Sequence, residues 1–288
     1  MKMTPWRIVG LVVAIGVALL VWKREPVMTS LLAMNTDQSS LDERIALIEQ
    51  GFDLRLPTEG TAPFPVVLQF HGCAGIRQPF QEQWANIANE AGYAAVIVDS
   101  TTPRGISWDE ALEVVCEGKT LLGQERAGDI LAAIKIAEKN PALDPSRIIL
   151  TGWSHGGWSI MDFLTMDGET RIPAGLTGWN ETPPNIAGSI FFYPYCGLGA
   201  LSRFRSWTQN PRALAFIAGE DKMVPAKACI SYFEKRLGED ERTDLVVYSD
   251  ADHIFDDPFL DPEWIHWYNE EYFQDATNRY KAFLAELK

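Results

Sequence analysis

Six short runs rich in β-branched and aromatic residues, at 66–70, 93–98, 147–151, 190–193, 213–218 and 244–248, punctuate the chain at intervals too long for hairpins. Between them lie segments whose apolar residues recur at helical spacing: 80–91, 124–139, 155–166 and 226–237, with a last helix over about 270–287. Parallel neighbours need a crossover that a helix supplies, so this alternation predicts a mostly parallel sheet with helices on both faces. In such a sheet reactive side chains collect at the carboxyl ends of the strands.

One strand end carries a specific signal. The run 147–151 leads into Gly152-Trp153-Ser154-His155-Gly156-Gly157, and a helical pattern follows at once. With 13 Ser and 22 Gly in 288 residues, chance would produce about 0.08 Gly-x-Ser-x-Gly patterns, so the motif is worth pursuing. A serine on a tight strand-to-helix turn needs glycines two positions either side, because side chains there would meet the adjoining strand and helix. Its hydroxyl then stands at the sheet edge beside a helix N-terminus, which favours developing negative charge. The alternative is a Gly/Ser turn without chemistry.

A serine nucleophile requires a base, and the base an orienting acid. Of the four histidines, His71 precedes the serine and His155 adjoins it, leaving His253 and His266 downstream. His253 follows the last strand, whereas His266 lies in a Trp-rich acidic segment, so His253 is the expected base. Asp221 follows the strand 213–218 and is the expected acid, with Glu220, Asp250 and Asp252 as rivals. An oxyanion hole needs backbone donors, and the glycine-rich turn after the first strong strand suggests the amides of Cys73 and His155. The His71 side chain is expected to brace that turn rather than bind metal.

Lys and Arg number 25 against 39 Asp and Glu, a net charge of −14, and no basic patch stands out, which disfavours nucleic-acid binding. Residues 8–22 are uncharged and mostly apolar, flanked by Arg7, Lys23 and Arg24. As a helix this run spans roughly 22 Å, so 1–25 reads as a signal anchor, with a cleaved signal peptide as the alternative. Residues 26–41 read as a linker and 42–288 as one catalytic domain. Cys73, Cys116, Cys196 and Cys229 lack metal-ligand spacing, and an even count beside an export segment favours disulfides over buried thiols. No cofactor or metal is implied.

The segments HGCAG (71–75), VIVDSTTPRG (96–105), GWSHGG (152–157), FFYPYC (191–196), GEDKMVP (219–225) and DADHIF (250–255) together resemble the α/β-hydrolase superfamily, and most closely its dienelactone hydrolase-like branch. The resemblance runs from about residue 45 to the C-terminus. It implies an α/β-hydrolase fold of about eight strands, with Ser154 as nucleophile, Asp221 as acid and His253 as base. Dienelactone hydrolase itself uses a cysteine nucleophile, so the serine here speaks against the dienelactone substrate but not against ester hydrolysis. GWSHGG also resembles the elbow of prolyl oligopeptidase-type peptidases, although 288 residues leave no room for their propeller. The implied strand neighbours suggest the pairings Cys73–Cys116 and Cys196–Cys229, one of three possible arrangements.

The expectation is therefore an exported, membrane-tethered carboxylic-ester hydrolase working through an acyl-enzyme on a small-molecule ester. A small peptidase and a catalytically silent tethered binding module are the alternatives. His71, Arg104, Trp108 and Trp153 are candidate pocket residues. From 243 to 278 there is no Lys or Arg but there are ten acids interleaved with aromatics. That segment either overhangs the site, disfavouring anionic esters, or forms a solvated face with a packed C-terminal helix.

Overall fold

The structure is a computed structural model that describes residues 36–239 and 242–288. Its centre is a seven-stranded sheet built from β2 (Phe52–Arg55), β3 (Phe64–Phe70), β4 (Ala94–Val98), β5 (Leu143–Trp153), β7 (Gly188–Phe192), β8 (Arg212–Ala218) and β9 (Thr243–Tyr248). The order is β2-β4-β3-β5-β7-β8-β9, parallel throughout except for the edge strand β2. This is the expected α/β-hydrolase architecture, with seven strands in the sheet among the described residues where about eight were expected. A separate two-stranded pairing joins β1 (Ser39–Ser40) to β6 (Leu176–Thr177).

Among the described residues the α-helices are α1 (Leu41–Glu49), α2 (Gln78–Glu90), α3 (Trp108–Val114), α4 (Gly123–Lys139), α5 (His155–Phe163), α6 (Ala226–Glu239) and α7 (Glu270–Glu286). Because strand side chains alternate, β3 sends Val66, Leu68 and Phe70 to one face and Val67 to the other. On the first face they meet Ile130 and Ile134 of α4 and Ile160 of α5. On the second they meet Trp84 of α2 and Tyr280 and Phe283 of α7. Each fully buried Val, Leu or Phe contributes about 1.5–3 kcal/mol, so the two layers hold the sheet from both sides and fix its register.

Among the described residues, regular structure begins at Ser39, inside the segment read as a linker. Ser40 caps α1 by accepting from the Glu43 amide, and the Glu43 carboxylate accepts from the Ser40 amide. This reciprocal cap holds two of the helix's free donors. The targeting element expected at 1–25 lies outside the described residues. Among the described residues, no helix is long and apolar enough to cross a membrane.

Strand register places the functional ends in one row. Phe70 pairs with Gly152, Trp153 with Phe192, Phe192 with Phe216, and Ala218 with Tyr248. The residues that follow each strand therefore share one edge of the sheet.

Candidate active site

Ser154 sits between the last residue of β5 and the first of α5 at φ 51°, ψ −112°. A non-glycine residue holds such a conformation only where its surroundings impose it. Its amide donates to the Phe192 carbonyl at 2.9 Å, and its carbonyl accepts from Trp158 at 3.0 Å, which pins both sides of the turn. The flanking glycines are obligatory. A Cβ on Gly152 would lie 2.5 Å from the backbone of Gly156 and Gly157, and one on Gly156 would lie 2.1 Å from the Phe70 carbonyl oxygen. The helix can approach the strands this closely only without side chains at those positions.

His253 follows β9 and is buried, and its Nδ1 lies 2.6 Å from Asp221 Oδ2. The other Asp221 oxygen accepts from the amides of Met223 and Val224 at 2.8 and 2.9 Å. The carboxylate is thus fixed on one side by a turn and aimed at the imidazole on the other. With Nδ1–H donating to Asp221, Nε2 is the ring nitrogen left to serve a reacting group. Tyr193 packs its ring on the imidazole, with centroids 4.5 Å apart. Since Tyr193 directly follows the Phe192 that holds the Ser154 amide, one short segment bridges the serine and histidine loops.

The rivals have other partners. Asp252 accepts from the amides of Lys222 and His253 and pairs with the Lys222 ammonium. Asp250 pairs with the Tyr272 hydroxyl, and Glu220 and His266 are exposed.

The turn after β3 lies against the serine, since a Cβ on Gly72 would come within 3.9 Å of the Ser154 Cβ. Cys73 is the next residue of this turn. The amide of His155 opens α5, and first-turn amides have no acceptor within their helix. His71 is buried, with its Nε2 accepting from the Ser100 amide at 3.0 Å and its Nδ1 2.6 Å from the Gly72 carbonyl. Its tautomer follows: Nε2 accepts, so Nδ1 carries the proton. Burial and then the Arg126 charge push this imidazole down to about 3. Burial and Arg126 likewise hold the His155 imidazole well below its ordinary value. Both rings stay neutral.

Beneath this turn is a buried charged cluster that the sequence reading missed. Arg126 is fully buried, donating to the Ser100 hydroxyl at 2.9 Å and the His71 carbonyl at 2.7 Å. Burial pushes its guanidinium down to about 10, which still leaves it cationic at neutral pH. Asp129, also fully buried, pairs with Arg44 at 2.9 Å and Arg104 at 2.7 Å.

Three of the four expected pocket residues have other work. His71 braces the turn. Arg104 is bound to Asp129 and to the Ser100 carbonyl, so it holds the loop after β4. Trp153 is buried against Phe192 with its indole N–H on Asp256, because alternation along β5 turns it into the core. Trp108 borders a cavity of about 280 Å³ lined with Ala74, Gly75, Ile76, Thr101 and Ile106. A larger cavity of about 670 Å³ lies at the opposite ends of the strands, near Pro63, Asn89 and Lys288.

The acidic segment after β9 divides between the two expectations. Asp256 and Asp257 are buried, Asp275 accepts from the Tyr248 hydroxyl, and Asp261 and Glu263 are exposed. The structure contains the disulfides Cys73–Cys116 and Cys196–Cys229. Among the described residues, no group of three or more His, Cys, Asp or Glu is arranged to hold a metal ion.

Comparison with known proteins agrees with this architecture. A putative dienelactone hydrolase from Klebsiella pneumoniae subsp. pneumoniae superposes with a TM-score of 0.61, at 16% identity, over 81% of this chain and 91% of that one. The esterase Est2 of Thermogutta terrifontis gives 0.56, at 16% identity, over 82% and 88%. At such identities the likeness shows the fold alone. In sequence, the chain is 26% identical over 209 residues to a probable dipeptidyl-aminopeptidase B of Trichophyton verrucosum, covering 67% of this chain and 23% of that protein. The chain therefore spans about a quarter of that relative's length. It is 31% identical over 215 residues to an uncharacterized 31.7 kDa protein from the traX-finO intergenic region of Escherichia coli, covering 74% and 70%. Residues 52–288 match the sequence profile of the dienelactone hydrolase family, and with the fold and its serine turn in place, the chain belongs to that family.

Proposed function

We propose that the protein is a serine hydrolase of carboxylic esters acting through an acyl-enzyme. Ser154 attacks the ester carbonyl, and His253 takes its proton and later delivers it to the leaving alcohol. Asp221 holds the imidazole in the useful tautomer and stabilises the imidazolium. The amides of Cys73 and His155 face the developing oxyanion. Water then enters along the same path, with His253 as base, and releases the acid.

The observation that carries this reading is the left-handed backbone at Ser154, because a turn without chemistry has no need to hold a serine at φ 51°. The His253–Asp221 contact of 2.6 Å supports it independently. A fluorophosphonate probe should label the wild-type protein and not Ser154→Ala, and p-nitrophenyl acetate turnover should fall on the order of 10⁴-fold or more in the variant. Undiminished turnover in Ser154→Ala would end the proposal.

The dipeptidyl-aminopeptidase likeness favours a second reading, cleavage of short peptides. Aminoacyl-arylamides turned over faster than aryl esters would select it. A silent binding module would neither label nor turn over either substrate.

Placement in an oxidising compartment belongs to the same proposal. Disulfides persist there, and the apolar run at 8–22 with its flanking bases has the composition of an export element. Cell fractionation, with mass measurement of the mature N-terminus, tests export and separates an anchor from a cleaved signal.

A further inference from the structure

Asp256 is sealed from solvent three residues beyond His253, on the same loop. One carboxylate oxygen accepts from the Tyr193 hydroxyl at 2.7 Å, the other from the Trp153 indole N–H at 3.0 Å. Both partners adjoin the reacting groups. Trp153 immediately precedes Ser154, and Tyr193 lays its ring on the His253 imidazole at 4.5 Å and 58°. A single carboxylate therefore ties the nucleophile's strand, the end of β7 and the histidine loop to one another.

The backbone on both sides of this tie is held in an unusual state. Tyr193 is at φ 36° and Ile254 at φ 61°, left-handed conformations for which a bulky residue depends on its surroundings. The Tyr193 amide donates to the Phe216 carbonyl at 2.7 Å, so the residue is anchored through its main chain and its hydroxyl while the ring between them meets the imidazole. Burial pushes the Asp256 carboxyl up to about 7. An apolar side chain in that place would avoid the cost of burying a carboxyl group.

We propose that Asp256 is a positioning residue for the reaction: through Tyr193 it sets the plane of the His253 imidazole, and through Trp153 the seat of Ser154. This rests on reading Ser154, His253 and Asp221 as the reacting set. Asp256 does not itself touch substrate.

Three variants test it. Tyr193→Phe keeps the ring and removes the tie, and Asp256→Ala removes the hub. Asp256→Asn preserves it, because the amide oxygen can accept from Trp153 while its N–H donates to the Tyr193 hydroxyl, which accepts as well as donates. The readout is kcat for p-nitrophenyl acetate per site titrated with a fluorophosphonate, so unfolded protein does not enter. Expected are a loss on the order of 10-fold in Tyr193→Phe and more in Asp256→Ala, with KM within about 2-fold and Asp256→Asn within about 3-fold of wild type. The downfield proton resonance of His253 Nδ1–H should move in the first two variants and stay in the third. Unchanged kcat per titrated site in both Tyr193→Phe and Asp256→Ala would overturn the proposal, whatever stability they lose. If the wild type neither labels nor turns over, the hydrolase reading fails separately. The proton resonance then decides alone whether Asp256 orients the imidazole, and a signal unmoved in all three variants would overturn it.

Discussion

Replacing Gly156 by alanine would test the serine turn through a single methyl group. The new Cβ would sit 2.1 Å from the Phe70 carbonyl oxygen, 2.7 Å from its carbon and 2.8 Å from the His71 oxygen. All three are main-chain atoms, so no rotamer change relieves the contact, and α5 must part from the end of β3 by close to 1 Å to restore van der Waals separation. Overpacking of this kind costs about 1–3 kcal/mol, which for a domain of this size lowers Tm by roughly 2–12 °C. The effect on rate should exceed the effect on stability. The displaced helix carries Ser154 and the His155 amide away from the Cys73 amide, and a misplacement of about 1 Å can cost on the order of 100-fold in turnover. The assay is kcat on p-nitrophenyl acetate together with thermal unfolding. Gly238→Ala serves as the control, since its methyl would meet nothing within 4 Å. A Gly156→Ala protein with kcat within 3-fold of wild type and an unchanged Tm would refute the claim that close helix-to-strand approach positions the serine.

Asp221→Asn should leave the fold intact but present the wrong hydrogen-bond partner to His253, lowering kcat on the order of 10⁴-fold in ester turnover. Cys116→Ser frees the turn that carries Cys73, and loss of this cross-link should lower stability by about 2–4 kcal/mol by denaturant titration, with kcat falling more than KM changes. Asp256 also predicts a pH dependence of stability. Its carboxyl is at about 7 folded against about 3.9 unfolded, so the folded protein keeps a proton that the unfolded chain releases between those values. The contribution is whole below about pH 4 and lost as pH rises to about 7, by about 4 kcal/mol at most. The stability of Asp256→Asn relative to wild type should therefore climb across that window, and parallel unfolding curves at pH 4 and 7 would contradict it.

Much of the fold was legible because buried parallel strands are short, apolar and β-branched, and four of them lead into residues singled out for the candidate site. The serine turn could be read because its glycines answer a steric demand. That His253 and Asp221 come together at 2.6 Å was legible because each follows the end of one of two neighbouring strands. The strand β2 escaped notice since its four residues are only half-buried and lack an apolar run. The helix α1 was hidden by a polar cap that looks like linker. Arg126 and Asp129 were missed because charges in the first turns of a helix ordinarily face solvent, whereas α4 is enclosed along most of its length. The small residues of α4 held the missing signal: a Cβ on Gly123 would come within 2.4 Å of the Trp158 ring. Trp153 was misplaced for the opposite reason, since adjacency to the nucleophile suggests a pocket while strand alternation sends the indole inward.

The two hydrogen bonds of His71 bear on more than loop geometry. Its Nδ1–H binds the oxygen of the very peptide unit whose nitrogen belongs to Cys73, and its Nε2 draws on the Ser100 amide. Hydrogen bonds in series polarise one another. Electron density drawn toward the Gly72 oxygen leaves the Cys73 N–H more acidic, so negative charge arriving at that N–H would be shared down a relay of peptide, imidazole and peptide reaching into the next loop. The neutral ring acts there as an insulated conductor.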